Sequence, residues 1–216
     1  MSGLEGFLPP ELWKRLVSGA APRSYAPGQT LMRQGEKADS VLALISGRVT
    51  VSLVDEEGRD VLLAVRGGAE LIGEMALFGD GTRSATVTAI DRCHAVVLTA
   101  AHFERFVREN KLQERLLRHL VHRLQEAERL RAELASLAAR PRITQWLIRL
   151  AQPPVGRPGP WAGTVEIGIG QGDLIRATGL ARSTVAEEIT KLKAERAVVN
   201  SRTPIVVDPR RLEELL

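Results

Sequence analysis

The chain has 216 residues, 44% of them hydrophobic and 26% charged, with 30 Lys+Arg against 26 Asp+Glu. That is the composition of a soluble globular protein able to bury a core, in one large domain or two modest ones. No apolar run long enough to span a bilayer is present, Met1 to Trp13 lacks the basic-then-apolar profile of a secretory leader, and Cys93 is the only cysteine, which excludes an internal disulfide and a cysteine-ligated cluster built from one chain.

The expected compartment is therefore cytoplasmic, with no membrane partner. Cys93 reads as a small core residue, a redox role being the alternative. His94, His102, His119 and His122 lack paired metal-ligand spacing and read as ordinary surface or interface residues, so no metal is expected. Residues 1–100 hold 10 Lys+Arg against 12 Asp+Glu, and residues 101–216 hold 20 against 14. The basic second half is compatible with nucleic acid, although so mild a bias is common in proteins that never touch it.

From Gln29 to Leu98 the chain breaks into short aliphatic and β-branched runs: Val41 to Ile45, Val49 to Val54, Val61 to Val65, Ala85 to Ile90 and Ala95 to Leu98. Closely spaced glycines punctuate them, and Asp55-Glu56-Glu57-Gly58 between two runs is a hairpin signal. Many short strands at even spacing predict a sandwich, jelly roll or barrel.

From Ala100 to about Ala139 there is no glycine or proline, and Leu112, Leu116, Leu120, Leu124, Leu130, Leu134 and Leu137 recur at spacings of mostly three and four. One or two helices are predicted, the last of them long. A leucine seam on so long a helix suggests a coiled-coil partner, most simply a second copy of the chain, with a core helix inside one chain as the alternative. Arg140-Pro141 marks the expected break, followed by a helix from Arg142 to Ala151, a loop at Gln152 to Pro160 and a short strand at Thr164 to Ile169.

Gln171 to Lys193 then reads as a short helix, a turn containing Gly179 and a second helix, the helix-turn-helix layout. Val185, Ile189 and Leu192 point inward. Arg182, Ser183, Ala186, Glu187 and Thr190 share the opposite face, which lacks large apolar groups and suits a DNA major groove, with Arg182 near the end where base edges are reached. Arg202 and Thr203 would form the tip of a hairpin wing set against phosphates.

The segment Leu71-Ile-Gly-Glu-Met-Ala-Leu-Phe-Gly-Asp-Gly-Thr-Arg-Ser-Ala-Thr86 resembles the phosphate-binding cassette of the cyclic-AMP receptor protein and fumarate-nitrate regulator (Crp/Fnr) family. Gly35-Glu36-Lys37-Ala38, the turns Ser46-Gly47 and Asp55 to Gly58, and Arg123-Leu124-Gln125 extend the resemblance over nearly the full chain. It implies an α+β fold: a cyclic-nucleotide-binding jelly-roll β-barrel (1–110), a central dimerisation helix (111–139) and a winged helix-turn-helix DNA-binding domain (140–216). The function implied is that of a homodimeric transcription regulator, not an enzyme, with cyclic AMP or another cyclic mononucleotide as effector. The implied partners are double-stranded DNA with a palindromic operator and RNA polymerase.

For the nucleotide the resemblance implies Ile72, Gly73, Glu74, Met75, Arg83, Ser84, Ala85, Arg123, Ala127 and Glu128; for DNA it implies Gln171, Arg182, Ser183, Thr184, Ala186, Glu187, Thr190, Lys191 and Arg202. The chemistry suits a cyclic nucleotide: Arg83 offers a planar fork to the phosphate, Ser84 a hydroxyl, backbone N–H groups near Gly73 a nest, and Glu74 an acceptor for the ribose 2′-hydroxyl. The alternative is a plain surface ion pair between Glu74 and Arg83.

The departures carry information too. Ala127 and Glu128 stand where the family places an adenine-contacting hydroxyl pair, which leaves the base preference open. Arg182 keeps a guanine-reading position, but Ser183 and Glu187 replace an acidic reader and a second arginine, so the operator should differ. Ile175 replaces a small residue where the two helices cross, and is expected to alter that crossing. Three rivals remain: an enzyme, for which no nucleophile–base pair stands out; a gas or redox sensor on the same fold; and a family member that binds DNA with no effector or with a different nucleotide.

Overall fold

The structure, a computed structural model, describes residues 8–216 apart from Ala20; Met1 to Phe7, part of the segment read for a leader, lie outside the described residues. In chain order come α1 (Pro10–Ser18), β1 (Arg23–Tyr25), β2 (Thr30–Met32), β3 (Ser40–Ser46), β4 (Val49–Val54), β5 (Asp60–Arg66), β6 (Glu70–Ile72), α2 (Glu74–Leu77), β7 (Thr86–Ala89) and β8 (Cys93–Thr99). They are followed by α3 (Ala100–Glu109), α4 (Gln113–Ser136), α5 (Ala139–Ala151), β9 (Arg157–Pro158), β10 (Val165–Glu166), α6 (Gln171–Thr178), α7 (Arg182–Ala194), β11 (Val198–Asn200), β12 (Val206–Val207) and α8 (Pro209–Glu214).

Two antiparallel four-stranded sheets, β1-β8-β3-β6 and β2-β7-β4-β5, form the amino-terminal jelly roll. Leu42, Leu44 and Ala95 of the first meet Val49, Val87 and Ala89 of the second in one core, which also takes the buried Cys93. The other face of the first sheet, with Val41, Ala43, Val96 and Leu98, is covered by Phe103 and Phe106 of α3 and by Leu112 and Leu116. Burial on both faces explains why Val41 to Leu44 is apolar without alternation. The β4–β5 hairpin closes as the sequence predicts, with the Asp55 carboxylate accepting from the backbone N–H groups of Glu57 and Arg59.

Two helices occupy Ala100 to Ser136, separated where Lys111 takes a φ of 54°. The leucine seam divides between two jobs. Leu112, Leu116 and Leu120 pack on the barrel and Leu130 packs on the carboxy-terminal core, all within the chain. The outward stripe of α4 consists instead of Leu117, Val121, Leu124 and Leu134. The break after α4 falls earlier than Arg140-Pro141: Leu137 and Ala138 are extended, and Pro141 sits in the first turn of α5, where its missing N–H costs no helical hydrogen bond.

The carboxy-terminal half builds its core from Trp146, Leu147 and Leu150 of α5, Leu174 and Ala177 of α6, and Val185, Ile189 and Leu192 of α7. A sheet in the order β11-β12-β10-β9 flanks it. The strand expected over Thr164 to Ile169 is cut to Val165–Glu166 because Gly168 has a φ of 77°. That position admits no other residue without displacing its neighbour: a Cβ on Gly168 would lie 2.5 Å from Cζ of Arg48.

Arg48, from the tight turn between β3 and β4, joins the two halves. Its side chain is 2% exposed; Nε and Nη2 donate to the two oxygens of Asp91 at 2.7 and 2.9 Å, and Nη2 also reaches Glu166 at 2.8 Å. An extra residue in β5, where the β4 register shifts, lets Leu62 and Val65 both bury, and they join the carboxy-terminal core. Arg176 of α6 pairs with Asp60 at 2.9 Å. Apolar burial and a buried guanidinium with all its donors engaged thus tie the two halves of the chain together. Among the described residues no helix is long and apolar enough to cross a membrane.

Candidate functional site

Between β6, α2 and the segment before β7 the barrel opens into a cleft lined on its apolar side by Met32, Val51, Ile72 and Val87. Gly73 starts the cassette with a φ of 89°, and a Cβ there would fall 2.5 Å from Nη1 of Arg83, so only glycine leaves that guanidinium its place. The Gly35-Glu36 turn fixes Arg83 from the other side: the N–H of Gly35 donates to the Arg83 carbonyl at 2.9 Å, and the N–H of Arg83 donates to the Glu36 carbonyl at 2.8 Å. Arg83 is 5% exposed, and its guanidinium donates to the carbonyls of Gly73 at 3.0 Å and Ser40 at 2.6 Å. Burial lowers its affinity for a proton, with Asp39, Glu36 and Glu74 partly offsetting that.

Glu74 is 3% exposed and turns toward α4, not toward Arg83. Its Oε1 lies 2.9 Å from Nε2 of His119 and 3.9 Å from Nε of Arg123. Burial works against the charged carboxylate, but the His119 hydrogen bond and the Arg123 charge outweigh it and hold Glu74 below the usual carboxyl range. The surface ion pair weighed as an alternative is thus replaced by two buried charges with separate partners. Arg123 is itself held by Glu70 at 2.8 Å, and Arg66 grips both oxygens of Glu126 at 2.9 and 2.8 Å.

Ile72, Gly73, Glu74, Met75, Arg83, Ser84, Ala85 and Arg123 come together around this one cleft, with Met75 half-exposed beside it. Ala127 and Glu128 do not; both are exposed further along α4. His119, expected at the surface or an interface, is instead part of the cleft wall's support. Its spacing of four from Arg123 was the available signal, since residues i and i+4 share a helix face. Arg66 and Glu126 carried no local pattern that marked them out.

At the other end of the molecule Gly179, with a φ of 66°, turns the chain between α6 and α7. Val185, Ile189 and Leu192 are buried, while Arg182, Ser183, Ala186, Glu187 and Thr190 face solvent and Thr184 is half-buried. Ile175 is half-buried at the edge of the core. Gln171 donates to the Ser201 carbonyl at 3.2 Å, tying the start of α6 to the loop that carries the exposed Arg202. Lys191 is shared by Glu187 at 2.7 Å and Glu188 at 2.8 Å. The arrangement presents a nearly apolar-free helix face with one arginine at its leading end.

A family profile described as a cyclic nucleotide-binding domain matches residues 22–110. The chain is 30% identical over 185 residues to the cAMP-activated global transcriptional regulator CRP of Salmonella typhimurium, covering 85% of this chain and 87% of that one. It is 28% identical over 171 residues to the CRP-like cAMP-activated global transcriptional regulator of Mycobacterium tuberculosis, covering 79% of this chain and 76% of that one. Among solved structures it shares its fold with the c-di-GMP responsive global regulator CLP of Xanthomonas campestris, at a TM-score of 0.74 and 22% identity over 91% of this chain and 97% of that one. FixK2 of Bradyrhizobium japonicum superposes at a TM-score of 0.76 and 19% identity, over 91% of this chain and 96% of that one.

Proposed function

The chain belongs to the Crp/Fnr family of transcription regulators, and from that premise we propose that it binds cyclic AMP in the barrel cleft and, as a homodimer, a palindromic DNA operator through α7. The observation that carries the reading is the meeting of buried Glu74 and buried Arg83 at Gly73, each held by partners other than the other. One charge of each sign at the edge of an apolar cleft fits a ligand with a phosphate, a ribose hydroxyl and a flat base. Arg83 would exchange its carbonyl partners for the phosphate, with Ser84 beside it; Glu74 would accept from the 2′-hydroxyl; the apolar wall would take the base. Arg123 would support Glu74 from α4.

The stripe of Leu117, Val121, Leu124 and Leu134 supports a dimer with a second copy, because four exposed apolar residues on one long helix are a liability unless covered. A second reading keeps the site and changes the base. With Ala127 and Glu128 in place of hydroxyls, the adenine amino group lacks its family partner, which favours a different cyclic nucleotide. Calorimetric titration with cyclic AMP and cyclic GMP tests both. Saturable binding of cyclic AMP supports the first reading, binding of cyclic GMP alone supports the second, and binding of neither defeats the nucleotide site.

A further inference from the structure

The Glu74 carboxylate is the acceptor on which recognition of a ribose would turn, yet a carboxylate on a short helix can rotate about its own bonds. What limits it here is α4. His119 and Arg123 stand four residues apart on the face of α4 that meets α2, and both approach the same oxygen, Oε1, at 2.9 and 3.9 Å. Glu74 is held in its charged form and so has no proton to give; the ring nitrogen facing it must be the donor, which fixes Nε2 as an N–H. The histidine side chain is 14% exposed and the carboxylate 4%, so bulk water does not replace this bond freely. Arg123 is committed elsewhere, giving its short 2.8 Å bond to Glu70, so the direct hydrogen bond to Oε1 comes from His119.

We propose that His119 is a positioning residue for ribose selectivity: by donating from Nε2 to Oε1 it fixes the plane of the Glu74 carboxylate and leaves Oε2 as the acceptor presented to a 2′-hydroxyl in the cleft. This deepens the nucleotide reading above and rests on it. A structural tie between α2 and α4 would support every ligand equally. A positioning residue is felt only by a ligand that carries the hydroxyl.

The test is a two-by-two comparison of cyclic AMP and 2′-deoxy cyclic AMP, each titrated calorimetrically into the full chain and into H119L, with H119Q as the variant that keeps an N–H donor. If cyclic GMP is the nucleotide bound, it and its 2′-deoxy analogue take their place. The parent should prefer the ribonucleotide by roughly tenfold or more, as for a hydrogen bond to a charged acceptor. In H119L that preference should fall to within about twofold, while the deoxy analogue binds as it does to the parent, and H119Q should recover most of the preference. Should H119L fail to fold, H119A is read in the same way. An unchanged ribose preference in the folded variant, or an equal loss for both ligands, overturns the proposal and leaves the nucleotide site standing. A parent that binds none of these nucleotides overturns both.

Discussion

Arg66 and Glu126 meet through two parallel hydrogen bonds of 2.9 and 2.8 Å, so the last residue of β5 is fastened to the middle of α4. Burial disfavours the Glu126 charge, but the Arg66 hydrogen bonds and charge, with Arg123 and His122, overcome it and bring the carboxyl from 4.5 down to about 2. A carboxyl with a depressed folded-state value stabilises the fold above its unfolded value and loses that contribution as pH falls through the folded one. The pair should therefore contribute up to about 3 kcal/mol above pH 4.5 and progressively less toward pH 2. Urea unfolding at fixed protein concentration should show E126Q less stable than the parent at pH 6, with the gap narrowing by pH 3. A constant gap would show that the loss comes from packing and not from the charge.

Replacing Arg83 by Ala should weaken cyclic-nucleotide binding by about 1.5 to 3 kcal/mol, roughly ten- to over a hundredfold. Arg83 also braces Gly73 and Ser40, so the calorimetry needs a circular dichroism check that the barrel persists. Undiminished binding by a folded R83A removes Arg83 from the phosphate site.

The division of the leucine seam makes two kinds of substitution separable. Leu117 is 61% exposed and Leu124 is 55% exposed, whereas Leu116 is 5% exposed in the barrel core. L117E and L124E should lower the mass seen by light scattering toward 23.6 kDa while leaving the fold intact. L116E buries a charge and should unfold the chain instead. A parent that runs as a monomer at micromolar concentration would remove the dimer from the scheme.

On DNA, a two-fold pair of α7 helices calls for a palindrome with half-sites about 34 Å apart. Arg182 can pair with O6 and N7 of a guanine, a contact worth about 1 to 3 kcal/mol of discrimination. Glu187 can accept from a cytosine amino group, and Lys191 already steadies it from one turn away. Selection from random DNA should give a palindrome with one guanine per half-site, lost in R182A. Arg202→Ala should weaken all sequences alike and make the salt dependence shallower. The same motif recovered from parent and R182A would show that Arg182 reads no base.

Much of this was legible in the sequence because it was local. Strands at Val49 to Val54 and around Val61 to Val65, the Asp55 turn, the inward trio of α7 and the glycine at 179 are each set by residues within a few positions of one another. The leucine seam misled on one point for a physical reason: a helix lying between two cores has three apolar faces, and spacing alone does not say which is which. Arg66 and Glu126 were illegible, and His119 was marked only by its spacing of four from Arg123, because their partners, one another and Glu74, stand tens of residues away and only the packing of β5 and α2 on α4 brings them together. The helix break falls at Leu137 and Ala138, ahead of Arg140-Pro141, because the proline ring excludes a continuous helix back to the carbonyl four residues earlier, that of Leu137.

Arg48 has a consequence for how this chain can be altered by recombination. Its partners Asp91 and Glu166, the glycine at 168 that accommodates it, and the approach of Gly67 to the Pro154 carbonyl lie on both sides of α4 in the sequence. A chimera spliced at Leu137 would bring together an arginine and a carboxylate shaped by different histories, and leave Leu62 and Val65 against a foreign surface. The structural unit that carries α7 is therefore larger than its own segment: it includes β5 and the turn before β4, and those positions are expected to vary only in concert with it.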